Sequence, residues 1–345
     1  MNTAKDRLEE LLKFAADRRL SDIHLKADQP PLFRRVGHLI SRKDSQLYDG
    51  HTLTQMVDVV LTKERLQRFL AGHDITTTYS IVGVGRFRVH VYRQRGLPAI
   101  AVRALPATAR GLAALQLPQH FANWVLNPSG LVLVCSSAGH GRSSTLAGLV
   151  DAINTQSTGP RHMATVESPI NVYHDDKLAW ISQREVGVDC ASFASGILGA
   201  ARQDTDVIAV DDPSDSAAWE AALAAAESGK LVIASLRSAR VVTGLRQLIS
   251  TSKVSPERLA GVFGGICATH LFATADGKRC IPAVEFLAPT PTVTALIREG
   301  KDYARVAEQM VAPTGQSFEQ HVQALLSNGL ISADSARRFA SFRLG

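Results

Sequence analysis

Ser136 to Ser143, SSAGHGRS, carry residue types and an order that can hold a chain of phosphates. Against the pattern G-x-x-x-x-G-K-[ST], Gly141 and Ser143 are in place. Ser136 stands at the first glycine and Arg142 at the lysine. In such a loop, backbone N–H groups and a helix N-terminus cradle phosphates, the cation reaches between them, and the hydroxyl holds Mg²⁺. Gly139 and Ser144 complete the candidate nucleotide-binding set, with Ser143 the candidate magnesium contact. An ordinary glycine-containing turn between a strand and a helix fits the same window, so the surrounding chain has to decide. Two carboxylates, Glu167 and Asp212, follow short apolar runs and are the candidate catalytic groups. Cys135, Cys190, Cys267 and Cys280 are far apart and form no C-x-x-C pair. That spacing offers neither a metal site nor a disulfide framework, and it reads as reduced thiols.

The elements that must position these groups are legible nearby. Residues 131–134 are a short run of aliphatic residues, as in a strand buried on both faces. Residues 145–153 form an apolar-periodic helix. Further strands are expected at 163–166, 207–210, 231–236 and 283–287. Helices are expected at 120–126, 193–202, 216–226, 241–248 and 256–268. Strands alternating with helices imply an α/β domain with a parallel-rich sheet. Ligands then bind at the C-terminal strand ends, where the loop, Glu167 and Asp212 gather.

The N-terminal part reads differently. A helix over 4–18 precedes strands at 21–25, 32–36 and 37–40, helices at 53–61 and 63–70, and strands at 76–79, 85–93 and 99–104. Residues 84–91, VGRFRVHV, alternate apolar with basic residues, as a one-sided antiparallel sheet does. The organisation expected is a small α+β domain over 1–105, a linker over 106–118, an α/β domain over 119–290 and a helical tail over 291–345. The net charge of +6 comes from scattered basic residues with no run of five. It favours anionic partners such as nucleotides and gives no nucleic-acid-binding stripe. No apolar run reaches the ~18 residues of a membrane span.

The order of the pieces resembles the PilT/GspE-type secretion ATPases, most closely the retraction ATPases of type IV pili. Ser21-Asp22-Ile23-His24-Leu25 resembles the S-D-[IL]-H-[IL] signature of their PAS-like N-terminal domain. Gly85-Arg86-Phe87-Arg88-Val89 resembles its arginine-bearing strand. Val166-Glu167-Ser168-Pro169-Ile170 is similar to the Asp box, and Gln183-Arg184-Glu185-Val186-Gly187 to the characteristic Q-R-E-V-G. Asp204-Thr205-Asp206-Val207-Ile208 resembles the Walker B region, and Ser235-Leu236-Arg237-Ser238 occupies the His box. Leu296-Ile297-Arg298-Glu299-Gly300-Lys301 resembles the C-terminal L-I-R-E-G-K. The resemblance implies a PAS-like domain followed by a RecA-like P-loop domain, ATP or ADP with Mg²⁺, and a ring hexamer. It also implies a cytoplasmic location at the inner membrane, held by an active pilus or secretion ATPase and a platform protein. Arg86, Arg88 and Arg103 become candidates to reach a neighbouring subunit's phosphates. Solvated arginines on a sheet face are the competing reading, and His24 and Glu185 are expected to be structural.

The departures from the family pattern fall on the residues that perform chemistry. Arg142 keeps the charge of the loop lysine but carries a longer, planar head. Ser136 replaces a glycine at a place where positive φ is expected, which would strain a residue with a side chain. Ser168 and Asn171 replace an Asp and a Glu of the Asp box. Asp211-Asp212 replace the Gly-Glu of Walker B, leaving Asp212 one methylene shorter than the family Glu. Arg237 replaces the His-box histidine, and Val293, Thr294 and Ala295 replace I-R-N near the end. The function expected is a catalytically impaired accessory protein of a type IV pilus or type II secretion machine, modulating or joining an active hexameric ATPase. A slow but genuine motor and a nucleotide-binding sensor are the alternatives.

Overall fold

The structure is a computed structural model that describes residues 3–35, 38–41, 46–300 and 302–341. The turn of the hairpin expected near 36–37, Lys301 of the C-terminal motif and residues 342–345 of the tail lie outside the described residues. The chain divides into two compact units, Met1–Ala107 and Thr108–Gly345.

The first unit runs α1 (Ala4–Asp17), β1 (Asp22–Leu25), β2 (Leu32–Arg35), β3 (His38–Ser41), α2 (Gly50–Val60), α3 (Lys63–Leu70), β4 (Ile75–Ile81), β5 (Gly85–Gln94) and β6 (Leu97–Leu105). A capping box starts α1: Asp6 N donates to Thr3 Oγ1 at 3.2 Å, and Thr3 N donates back to Asp6 Oδ2 at 2.9 Å. The six strands form one antiparallel sheet in the order β3-β2-β1-β6-β5-β4. Alternation along β5 turns Phe87, Val89 and Val91 inward, where they share a core with Leu8, Leu12, Leu53 and Met56.

The second unit runs α4 (Phe121–Val125), β7 (Gly130–Cys135), α5 (Arg142–Gln156), β8 (Arg161–Glu167), β9 (Ala179–Glu185), α6 (Phe193–Ala201), β10 (Val207–Val210), α7 (Ser216–Glu227), β11 (Leu231–Leu236), α8 (Val241–Ser250), α9 (Pro256–Val262), β12 (Phe263–Ala273), β13 (Cys280–Leu287), α10 (Pro291–Glu299), α11 (Tyr303–Glu308), β14 (Gly315–Gln316), α12 (Phe318–Ser327) and α13 (Ala333–Ser341). Its sheet has the order β14-β13-β12-β7-β11-β10-β8-β9. Strands from β12 to β9 are parallel, and β13 and β14 add an antiparallel edge. Residues 131–135 of β7 are buried, and this strand delivers the candidate loop from the middle of the sheet. Helices cover both faces: α4 and α5 build one core, and α6 to α8 with the tail helices build the other.

Three expectations change here. The helix expected over 256–268 ends at Val262, and the chain continues as β12. Gly265 lies at φ +127 with the Trp124 ring 2.9 Å from where a Cβ would stand, so only glycine fits there. Residues 179–185, expected in no strand, form the edge strand β9. The segment expected as a linker is bound for most of its length to the second unit. Leu112 and Leu117 are buried in the core with α5, and at Gly148 a Cβ would stand 2.7 Å from Leu115 and 3.2 Å from the Arg110 carbonyl.

Candidate functional site: a phosphate loop facing an acidic pair

The loop between β7 and α5 bends at two glycines, Gly139 at φ 80 and Gly141 at φ 98. Gly141 caps α5 without a side chain, so the first amides of the helix have no side-chain acceptor and face the loop. Thr269 Oγ1 donates to the His140 carbonyl at 2.8 Å, and Leu271 N donates to His140 Nδ1 at 3.1 Å. Both partners lie on β12, which therefore holds the tip of the loop. The His140 ring stacks on His270 at 4.0 Å, and His270 lies 4.8 Å from the ring of Phe339 on α13. Burial lowers the pKa of both histidines, that of His270 to about 4, so the stack is neutral at neutral pH. Ser136 is fully buried and is not among the described residues with positive φ. The strain expected there is absent: Ser136 follows the end of β7, with its N–H 3.4 Å from the Leu236 carbonyl and its hydroxyl donating to the Ser137 carbonyl.

Asp211 is the hub of the site. Its Oδ2 accepts from Ser143 Oγ at 2.6 Å and from Asn171 Nδ2 at 2.9 Å, and its Oδ1 accepts from Ser235 Oγ at 2.6 Å. Asp212 follows at φ 68, a left-handed conformation uncommon outside glycine, and Ser235 Oγ accepts its N–H at 2.8 Å. Arg142 leans back onto this pair: Nε lies 3.6 Å from Asp211 Oδ1 and Nη2 lies 3.2 Å from Asp212 Oδ2. Its Nη1 is buried and has no hydrogen-bond partner. Arg237 closes on Asp212 from the solvent side, with Nε 2.6 Å from Oδ2 and Nη2 on the same oxygen. Two guanidiniums thus neutralise two adjacent carboxylates.

Glu167 ends β8 alongside. It accepts from Thr165 Oγ1 at 2.8 Å, from Gln183 Nε2 at 3.2 Å and from Asn171 N at 3.1 Å. None of these donors is a cation. Burial pushes its carboxyl up to about 7, against these hydrogen bonds, and the charge of Asp211 adds to the rise. The free space bounded by Ser143, Thr165, Glu167, Asn171 and Asp211 is about 10 Å³. On the other side of the loop lies a cleft of about 360 Å³, lined by Arg110, Gln116, Ser144, Thr269, Arg279 and Cys280. That size falls within the range of small-molecule sites.

Of the expected site residues, Gly139, Gly141, Arg142, Ser143, Ser144, Glu167, Asp212 and Arg237 gather around the loop, with Ser136 buried at its base. Asp211, Ser235, Thr165 and Gln183 belong to the same network and were not singled out by their types alone. The doublet Asp211-Asp212 was the available signal. The three arginines of the first unit form part of its own sheet. Arg103 donates to Asp22 at 2.7 Å and pairs in register with Arg88, while Arg86 is buried. Arg86 is therefore not the solvated residue of the competing reading. Glu185 accepts from Ile170 N at 3.3 Å, which fits its structural role.

A mostly parallel α/β sheet carrying a glycine loop at a helix N-terminus, with acids at adjacent strand ends, has the architecture of a P-loop nucleotide-binding domain. Residues 98–280, more than half of the chain, match the family of type II/IV secretion system proteins, and the chain belongs to that family as a PilT-like member. It is 30% identical to the type IV pilus retraction ATPase PilT of Pseudomonas aeruginosa, over 96% of this chain and 98% of that one. It is 31% identical to a twitching motility protein of Neisseria gonorrhoeae, over 83% and 78% respectively. A crystal structure of the pilus retraction motor PilT with bound ADP superposes with a TM-score of 0.82 at 32% identity, covering 95% of each chain.

Proposed function

We propose that this chain is a catalytically impaired PilT-like accessory protein of a type IV pilus or type II secretion machine. It holds a nucleotide and acts by joining or modulating an active hexameric ATPase at the cytoplasmic face of the inner membrane. The reading is carried by one observation: Arg142, at the position of the loop lysine, is paired with Asp211 and Asp212, and Arg237 occupies the outer face of Asp212. Phosphoryl transfer depends on positioned charge and a positioned water, and losing one such group costs ~3–4 kcal/mol of barrier. Here the carboxylate that would act is held by two arginines.

Nucleotide binding is supported by different features. The unpaired amides of α5, the Ser143 hydroxyl and Arg142 Nη1 would hold the phosphates, and the 360 Å³ cleft beside the loop would take the nucleoside. The solved PilT holds ADP. Glu167 favours a slow motor as the second reading, because it is retained at a strand end with a carboxyl near neutrality. A steady-state ATPase assay run beside a nucleotide titration separates the two. Saturable binding with turnover at background is the expected outcome. Turnover comparable to an intact relative, abolished in Arg142→Ala, would establish the motor. Co-purification with an intact pilus or secretion ATPase tests the accessory role.

A further inference from the structure

The Arg142 guanidinium lies against the carboxylates of Asp211 and Asp212. In a phosphate loop of this kind, Mg²⁺ is held by the loop hydroxyl and an acid at a neighbouring strand end, and it bridges the terminal phosphates. The hydroxyl and the acid are present here as Ser143 and Asp211, but they are hydrogen-bonded to each other at 2.6 Å. Every carboxylate oxygen of Asp211 already has a donor: Ser143 and Asn171 on Oδ2, Ser235 on Oδ1. The charge of the acidic pair is met by Arg142 on one side and Arg237 on the other. The small pocket that Ser143 and Asp211 share with Leu146, Val150 and Glu167 is about 10 Å³, about the least that admits a single water. The residues present therefore do not fit the metal that the family resemblance implies.

We infer that this protein binds the phosphates of a nucleotide without a divalent metal, with the Arg142 guanidinium taking the place of the cation. The side chain is suited to that task in a way lysine is not. A planar guanidinium presents donors on several edges at once. Nε and Nη2 face the two aspartates, while Nη1 is buried with no hydrogen-bond partner and is left to donate to a phosphate oxygen. A lysine in the same place would present one ammonium and could not span the acids and the phosphates together.

The inference rests on nucleotide occupying the loop, so the test measures binding and not turnover. ADP and ATP are titrated into the full chain by calorimetry, in excess Mg²⁺ and again in EDTA. Affinities in the two media should agree within about twofold. Arg142→Lys, checked for folding by circular dichroism, should acquire a metal requirement and bind about tenfold more weakly in EDTA than in Mg²⁺. A loss of about tenfold or more in EDTA for the unmodified protein would overturn the inference, and that result does not depend on the variant. Absence of saturable binding in both media would overturn it by a separable route, because it would also remove the nucleotide from the proposed function.

Discussion

Glu167 is the residue whose environment makes the sharpest demand on solution behaviour. Its carboxyl is pushed up to about 7, first by burial and then by Asp211, so the folded protein keeps a proton that the unfolded chain releases near the ordinary glutamate value. The folded state therefore binds more protons between about 4.5 and 7, and stability falls as pH rises through that window. A shift of this size corresponds to about 3 kcal/mol lost by pH 8. Glu167→Gln removes the titrating group, so its urea midpoint should be flatter over the same range. An unchanged slope in the variant would assign the pH dependence to other groups. Asp211, by contrast, is surrounded by hydroxyl, amide and guanidinium donors.

At the scale of elements, the site depends on helices that are tied at their ends. Glu285 on β13 is fully buried, and it receives Arg240 Nε at 2.8 Å and Val241 N at 2.6 Å, the first amide of α8. Arg240 also stands over the ring of Phe318 at 5.4 Å, so one residue joins α8, β13 and α12. Arg240→Ala leaves a buried carboxylate with its charge partner gone, and it should destabilise the fold by about 3 kcal/mol in chemical denaturation. Pairing it with Glu285→Leu should recover most of that loss. Elements with a single clear period were legible in the sequence. β5 alternates, and its inward residues are Phe87, Val89 and Val91. β12 was not legible, for a definite reason. Ser255 and Pro256 announce a helix, and the apolar run beyond Val262 is buried with no alternation, so it carries no period of two. The consequence reached the site, because Thr269 and Leu271, which fix the loop tip, lie on β12 just beyond the end of the helix expected at 268. The network around Asp211 was illegible for another reason: Ser235, Thr165 and Asn171 are ordinary polar residues until the sheet sets them side by side.

At the scale of the whole molecule, the question is assembly. The chain carries a net charge of +6, and among the described residues no helix is long and apolar enough to cross a membrane. Under the proposed function the protein enters a ring beside active copies or forms one of its own. Light scattering over a concentration series, with and without ADP, discriminates. An ADP-dependent rise in mass supports a homo-ring. A monomer in every condition removes it and leaves partnership with an active ATPase as the route into the machine.

The stacked rings of His140 and His270, continued by Phe339 on the last described helix, have a spectroscopic consequence. Aromatic ring currents shift the resonances of nuclei above and below them, and here they connect the tip of the phosphate loop to α13 through one intervening imidazole. Any movement of His140 that follows loop occupancy alters the field felt by the Phe339 ring. Fluorinated phenylalanine at position 339 should therefore report nucleotide at the loop by a change in its ¹⁹F chemical shift, and His270→Ala should abolish the change. A shift that persists in His270→Ala would mean that the signal reaches α13 by a path other than the stack.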